Sequence, residues 1–350
     1  MVKDYGLRIQ VLPFVICAIA HSFEHVRKVM VGVAMGLGMV LFFCFKWGQM
    51  QYGRFLIPDT SLSNGNDLAM HIVLFSCLAI ALLAGGKGVR FFLLTAMPVA
   101  LYYVLKTGSR ANLLTVILLL LVCFILLPAR QKMTMVALAI FLPVVVVPFL
   151  PSETTSRLVS FFSASSGAAD AAEAEQNAEA VDSTNARLDL QWRAIQLTGE
   201  NLLLGIGPLN FADAVEEMVR KHGGGKSGWQ VAHNSYLEVS AETGIPGVIF
   251  YAWNILLCLK LNFQALKRFK NQPGSRAPFL VTFSLLAATC TYAFGIFFTT
   301  IPYDFQLALL VGLTAAMNLA SEEQSARNAA STVMGFAPRR RTAQTTGLSA

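Results

Sequence analysis

The run His233-Asn234-Ser235-Tyr236-Leu237-Glu238-Val239-Ser240-Ala241-Glu242-Thr243-Gly244 leads directly into Ile245-Pro246-Gly247-Val248-Ile249-Phe250-Tyr251-Ala252-Trp253-Asn254-Ile255-Leu256-Leu257-Cys258. A polar, titratable stretch therefore abuts a long apolar one. The apolar part, 244–261, is long enough to cross a bilayer as a helix, and in lipid only a helix or a closed barrel satisfies its own backbone. Ionisable groups at a membrane boundary are costly to keep unless they act on something. This one junction points to a membrane helix bundle with a functional cluster at one face.

Similar apolar runs recur at 29–45, 67–84, 89–106, 111–127, 133–150, 278–298 and 303–320. With 244–261 they predict eight spans. A ninth run near 9–20 is short, and reads as a tilted or interrupted span, a re-entrant piece or a remnant of a longer N-terminus. It does not read as a cleaved signal, because it lacks a small-x-small exit and runs into His21, Glu24 and His25. Only 13% of the 350 residues are charged, about half the share of a soluble domain, so length is not read as two soluble domains. All six cysteines fall inside apolar runs and read as small core hydrophobes. The expected fold class is all-α: a polytopic inner-membrane bundle of eight or nine spans with one large periplasmic loop.

The net charge of +7 is unevenly spread. Arg27 and Lys28, Lys87 and Arg90, Arg130 and Lys132, Lys267-Arg268-Lys270 with Arg276, and Arg339-Arg340-Arg341 occupy alternate connections. The positive-inside rule puts them in the cytoplasm and places 48–66, 107–110, 151–243 and 299–302 outside. The basic balance thus reports topology; it lacks the aromatic interleaving of nucleic-acid binders. The organisation expected is N-terminal spans over 1–150, a periplasmic loop over 151–243 carrying part of the site, C-terminal spans over 244–320, and a basic, disordered cytoplasmic tail over 321–350. The segment 151–232 holds eleven of the 20 acidic residues. Its portion 163–183 is Ala/Glu/Ser-rich and predicts a mobile stretch. Then 185–198 has helical spacing, with Leu188, Trp192 and Ile195 on one face. Gly205-Ile206-Gly207-Pro208 predicts a turn, 211–220 a second amphipathic helix, and Gly223-Gly224-Gly225 a joint.

Three clusters carry chemistry. Ser235 with Glu238 fits a capping box and Gly244 a helix stop, so 236–243 predicts a two-turn helix with His233 and Asn234 at its N-terminal end. That end favours phosphate and neutral imidazole, the form a general base needs. The competing reading is a histidine that caps or packs at the interface. Thr107-Gly108-Ser109-Arg110 interrupts two apolar runs; Ser109 can cap the next helix, leaving Arg110 in its first turn, where the helix dipole disfavours a cation. An anionic ligand would remove that conflict, whereas the alternative is an arginine snorkelling to the interface. Arg187 and Arg193 can grip phosphate oxygens, or pair with the loop's own carboxylates. Gly205-x-Gly207 lacks the strand–helix setting of a dinucleotide loop. Gly32-xxx-Gly36 is a generic packing pattern, and His71 reads as packed within a span, without an obvious partner. No metal-ligand spacing is found.

Together these residues resemble a known family. His233-Asn234, nine residues, then Gly244-Ile245-Pro246-Gly247, placed after a large outer loop and before a span, is similar to the O-antigen ligase and polymerase superfamily of bacterial envelope glycosyltransferases. Thr107-Gly108-Ser109-Arg110 is similar to that family's Ser-Arg start of a central span. Arg187 … Trp192 … Gly205-Ile206-Gly207 … Phe211 resembles its loop pattern, and Ser63-Asn64-Gly65-Asn66-Asp67-Leu68-Ala69 its earlier Asn-x-x-Ala segment. The likeness covers about 60–265. The family has about ten to twelve spans, so the shortfall here is N-terminal, where a truncated start is expected.

The resemblance implies transfer of a glycan from an undecaprenyl-diphosphate carrier to an acceptor hydroxyl, with no cofactor, metal or nucleotide sugar. It implies His233, Arg110 and Arg187 as catalytic residues and Ser109, Asn234, Tyr236, Glu238, Glu242 and Arg193 as substrate-binding ones. The acceptor is lipid A-core for a ligase, or a growing polysaccharide for an O-antigen or exopolysaccharide polymerase. Membrane lipids are the remaining partners and nucleic acid is not one. The two carboxylates can orient His233 or merely cap. A non-catalytic transporter or scaffold fits less well: transporters place their charges near the midplane and show repeats, whereas here the charges cluster at one face.

Overall fold

The computed structural model describes residues 2–51, 53–152, 154–156, 171–222, 230–270 and 275–333. The architecture is all-helical apart from one small hairpin. In chain order the elements are α1 (Val2–Ile19), α2 (Phe23–Trp47), β1 (Gln49–Gln51), β2 (Arg54–Leu56), α3 (Gly65–Ala79), α4 (Lys87–Lys106), α5 (Arg110–Leu126), α6 (Ala129–Val146), α7 (Ala171–Glu200), α8 (Phe211–His222), α9 (Ser235–Lys270), α10 (Arg276–Gly295) and α11 (Phe305–Val333). Helix α3 runs on into a 3-10 turn, Ile80–Ala84. Among the described residues seven helices are long and apolar enough to cross a membrane, and Ile9–Ile19 and Arg110–Leu126 are shorter apolar ones. Every apolar run picked out in the sequence falls on one of these.

Because lipid is as apolar as leucine, burial alone cannot sort these helices, and close packing and polar contacts between them do. Helices α3 and α10 occupy the middle and are buried nearly all round; α2, α4, α5, α9 and α11 surround them, α1 lies along α11, and α6 is peripheral. Asn262 of α9 ties three helices together: its amide donates to Thr289 Oγ1 of α10 at 3.3 Å and to Thr314 Oγ1 of α11 at 3.0 Å. The hydroxyls of Tyr251 and Tyr292 meet at 2.9 Å between α9 and α10. All six cysteines are free and buried or half-buried.

Three local features add to these expectations or correct them. The connection 48–66 forms an antiparallel hairpin, pairing Gln49 with Leu56 and Gln51 with Arg54. Its Phe55 is buried, stacks on Tyr103 at 5.2 Å, and lies under Lys106 Nζ, 4.6 Å from the ring centre. Helix α7 begins at Ala171, inside the Ala/Glu-rich stretch read as mobile; Ala and Glu are good helix formers. Residues 163–170 of that stretch, the Gly223-Gly224-Gly225 joint and the Arg339-Arg340-Arg341 tail lie outside the described residues. Finally, α7 packs on α9 through Leu190, Ala194 and Leu197, while Leu188, Trp192 and Ile195, the face the spacing singled out, are exposed.

Candidate active site

The site grows from the start of α9. Asn234, not Ser235, caps this helix: its Oδ1 accepts the N–H groups of Tyr236 at 3.0 Å and Leu237 at 3.2 Å. Glu238 reaches back to the Ala232 N–H at 2.9 Å. The capping box expected at Ser235 does not form, because the Ser235 hydroxyl is consumed elsewhere. It donates to Thr299 O at 2.8 Å and accepts from the Ile301 N–H at 3.1 Å, and the Ser235 N–H donates to Ile296 O at 2.9 Å. These bonds pin the start of α9 to the connection between α10 and α11. Tyr236 adds a further tie, donating from its hydroxyl to Ala293 O at 3.0 Å and packing on Phe297 at 4.6 Å.

His233 sits just outside that cap with φ of 52°, in the left-handed region. Few non-glycine residues adopt it, and such conformations concentrate at functional sites. The half-buried ring is held well below the ordinary histidine range, with a pKa of about 4; burial is the main cause, followed by the positive charges of Arg187 and Arg54. The structure thus brings together His233 and Arg187, two of the residues picked from the sequence, and adds Arg54 from strand β2. Arg54 was missed because the signal for it is a strand pattern in a short connection, Gln49-Met50-Gln51 against Arg54-Phe55-Leu56, which nothing in a helical reading flags.

Ser109 and Arg110 are placed separately, where α5 meets α3. Ser109 caps α5 by accepting the Asn112 N–H at 3.3 Å, and its hydroxyl donates to Asn66 Oδ1 at 2.8 Å. Asn112 Nδ2 donates to Asn66 O at 2.9 Å and to Ser109 Oγ at 3.0 Å. The buried Ser109 hydroxyl is thus fully used inside the protein, and its visible work is to fix the position of Arg110 in the first turn of α5. Asn66, in the segment that resembles the family's earlier outer-loop motif, is the residue that Ser109 and Asn112 hold.

The loop that precedes α9 is clasped to it by main-chain bonds. Ile206 N–H donates to Ala241 O at 2.9 Å, Gly207 N–H to Glu242 O at 2.9 Å, and Ile245 N–H to Leu202 O at 2.8 Å. The clasp explains two glycines. Gly205 has φ of 65° and a Cβ there would strike the Glu242–Thr243 backbone; Gly244 has φ of 71° and a Cβ would lie 2.7 Å from the carbonyl oxygens of Leu202 and Leu203. Gly244 is the expected stop for the two-turn helix, but the chain resumes helix at once, with Pro246 in the new first turn, so the polar lead and the span form one broken helix. Glu242 Oε1 accepts the Phe211 N–H at 3.0 Å, which caps α8 with a carboxylate. Arg193 Nε donates to Asp189 Oδ2 at 2.8 Å, the in-loop pairing that the sequence left open.

His71 is not without partners: Nδ1 donates to Asp67 O at 2.8 Å, Nε2 accepts from the Gln306 amide at 2.6 Å, and Asp304 lies 3.9 Å away. Among the described residues no group of three or more His, Cys, Asp and Glu is placed to hold a metal ion.

The described parts of the connections 48–66, 107–110, 201–222, 230–243 and 296–306 therefore converge at one end of the bundle. Chemically, that end offers a neutral imidazole with two guanidinium groups acting on it, while Arg110 is fixed separately at the start of α5. Comparison with protein-family models gives a match over residues 95–252 to the family described as O-antigen ligase. No curated protein matches the chain. The match spans the Ser109-Arg110 helix start, α7 with Arg187, the glycine clasp and His233-Asn234. Over those residues the chain is similar to the O-antigen ligase family, in agreement with the resemblance that its motifs carry.

Proposed function

We propose that this protein transfers a glycan from an undecaprenyl-diphosphate carrier to an acceptor hydroxyl at the periplasmic face of the inner membrane, with lipid A-core as acceptor. The observation that carries the reading is His233: a neutral imidazole, in an uncommon backbone conformation, with Arg187 and Arg54 acting on it. His233 takes the acceptor proton as the hydroxyl oxygen bonds to the anomeric carbon. The bond from that carbon to the carrier breaks, and its electron pair leaves with the diphosphate. Arginines stabilise that leaving charge without a metal; Arg110 and Arg187 serve there, and Arg54 joins them. An attack opposite the diphosphate inverts the anomeric centre.

The two guanidinium groups also link binding to basicity. They hold the free imidazole down. A bound diphosphate offsets their charge and returns His233 toward its ordinary range, so the base strengthens when the donor is in place.

The test is envelope glycan analysis of a strain lacking this gene, complemented with wild type, His233→Ala or Arg110→Ala, beside its lipid-linked pool. The expected result is loss of the polymer ladder from lipid A-core with long lipid-linked polymer accumulating, restored by wild type alone while both variants insert normally. A core carrying a single repeat, with no long polymer, moves the assignment to O-antigen polymerase. Normal lipopolysaccharide with missing secreted polymer moves it to exopolysaccharide polymerisation. Full activity of both variants overturns the site assignment, and no glycan change overturns the enzymatic reading.

A further inference from the structure

Helix α7 has two apolar faces, and only one is covered. Leu190, Ala194 and Leu197 pack on α9, whereas Leu188, Trp192 and Ile195 point away, with Trp192 59% exposed. The chain that follows, Leu202-Leu203-Leu204, is more open still: Leu203 and Leu204 are 75% and 84% exposed. From 201 to 212 there is no charged residue. A water-facing turn does not ordinarily display such a patch, and a contiguous exposed apolar surface marks a partner or a membrane.

What covers it follows from where the main chain puts it. Leu202 O accepts the Ile245 N–H at 2.8 Å, and Ile245 opens the exposed stripe Ile245, Ile249, Trp253 on α9. That stripe belongs to a membrane-spanning helix and faces acyl chains. The leucine turn is thus continuous with a lipid-facing surface and stands at its end, at the depth where the bilayer meets water. An apolar helix face with a tryptophan is suited to that boundary.

We propose that Leu202-Leu203-Leu204 and the outward face of α7 form a membrane-docking surface, seated among the lipids of the leaflet at the loop-bearing end of the bundle. It holds the loop, and with it Arg187, at headgroup depth. The docking stands independently of the catalytic reading, since a loop can be anchored whatever it acts on.

The experiment uses the full chain in phospholipid nanodiscs holding one copy each and no isoprenoid carrier. Nitroxide labels are placed by Leu203→Cys, Leu204→Cys and, on exposed polar α8, Asp213→Cys; wild type treated alike supplies the background from native thiols. Labels at 203 and 204 are expected to collide several-fold more with oxygen than with a water-soluble nickel chelate, and the label at 213 the reverse. Independently, the fluorescence lost in Trp192→Phe is expected to be the portion quenched by lipids brominated near the carbonyl and spared by iodide. Nickel exceeding oxygen at 203 and 204, or iodide quenching Trp192, overturns the proposal. Oxygen access that appears only when the carrier lipid is added assigns the surface to that lipid instead, and occlusion that appears only with two copies per disc assigns it to a second copy; either result also overturns it.

Discussion

At the scale of single residues, His233 carries the most consequence. Its pKa of about 4 lies below the ordinary histidine value, so the ring is neutral at every pH well above 4 and gains a proton only below it. For a general base, activity is lost as the base protonates. The acid limb of kcat/KM, which reports the free enzyme, is therefore expected near pH 4, and that of kcat, which reports the donor complex, at higher pH. Removing one of the two positive neighbours relieves part of the depression. Arg54→Ala should move the acid limb of kcat/KM upward, and a pH–rate series on wild type and variant checks both statements; an unmoved limb would mean that Arg54 does not act on the ring. Much of this was legible in advance. A histidine at a polar–apolar junction announces itself, and the helix start argued for a neutral ring. The dominant causes, burial and two arginines from distant segments, depend on chain crossings that no local pattern encodes.

At the scale of elements, local rules were right about kind and wrong about detail wherever a distant segment competed. Ser235 satisfies every requirement of a capping box, yet the 296–301 connection claims its hydroxyl, and Asn234 caps instead. The face of α7 marked by Leu188, Trp192 and Ile195 was correctly read as apolar, but periodicity cannot say which of two apolar faces meets protein and which meets lipid. The glycines of Gly205-x-Gly207 and Gly244-x-x-Gly247 were visible as a motif, and the reason for Gly205 and Gly244, two backbones in contact, emerges only in three dimensions. Gly205→Ala and Gly244→Ala each combine a positive φ with a backbone collision, and either should cost about 1–3 kcal/mol locally. Limited proteolysis checks this: cleavage between 201 and 232 should accelerate in both variants while the spans stay intact, and unchanged cleavage would mean that the clasp tolerates a side chain.

At the scale of the whole molecule, the membrane made most of the fold legible. Lipid forbids unpaired backbone, so each long apolar run had to become a helix, and each did. The hairpin at 49–56 escaped notice because it lies outside that constraint. The central position of α3 and α10 escaped it too, since helices that are apolar all round give no sign of which neighbour they will meet. Polar residues inside the bundle decide that. Asn262→Ala removes hydrogen bonds to both α10 and α11, each worth about 0.6 kcal/mol in a membrane interior. The variant should melt at lower temperature in detergent yet keep His233 chemistry per folded molecule; an unchanged melting curve would assign the helix order to packing alone.

The clasp between loop and span is made of main-chain atoms: Ile206 to Ala241, Gly207 to Glu242, Ile245 to Leu202. Apart from the glycines that the close approach demands at 205 and 244, such main-chain bonds are indifferent to the side chains beside them. Side chains elsewhere in the loop can therefore change while the anchor to α9 stays put. Under the proposed function, such a scaffold lets a lineage change the glycan it handles one surface residue at a time, without rebuilding the machine that handles it.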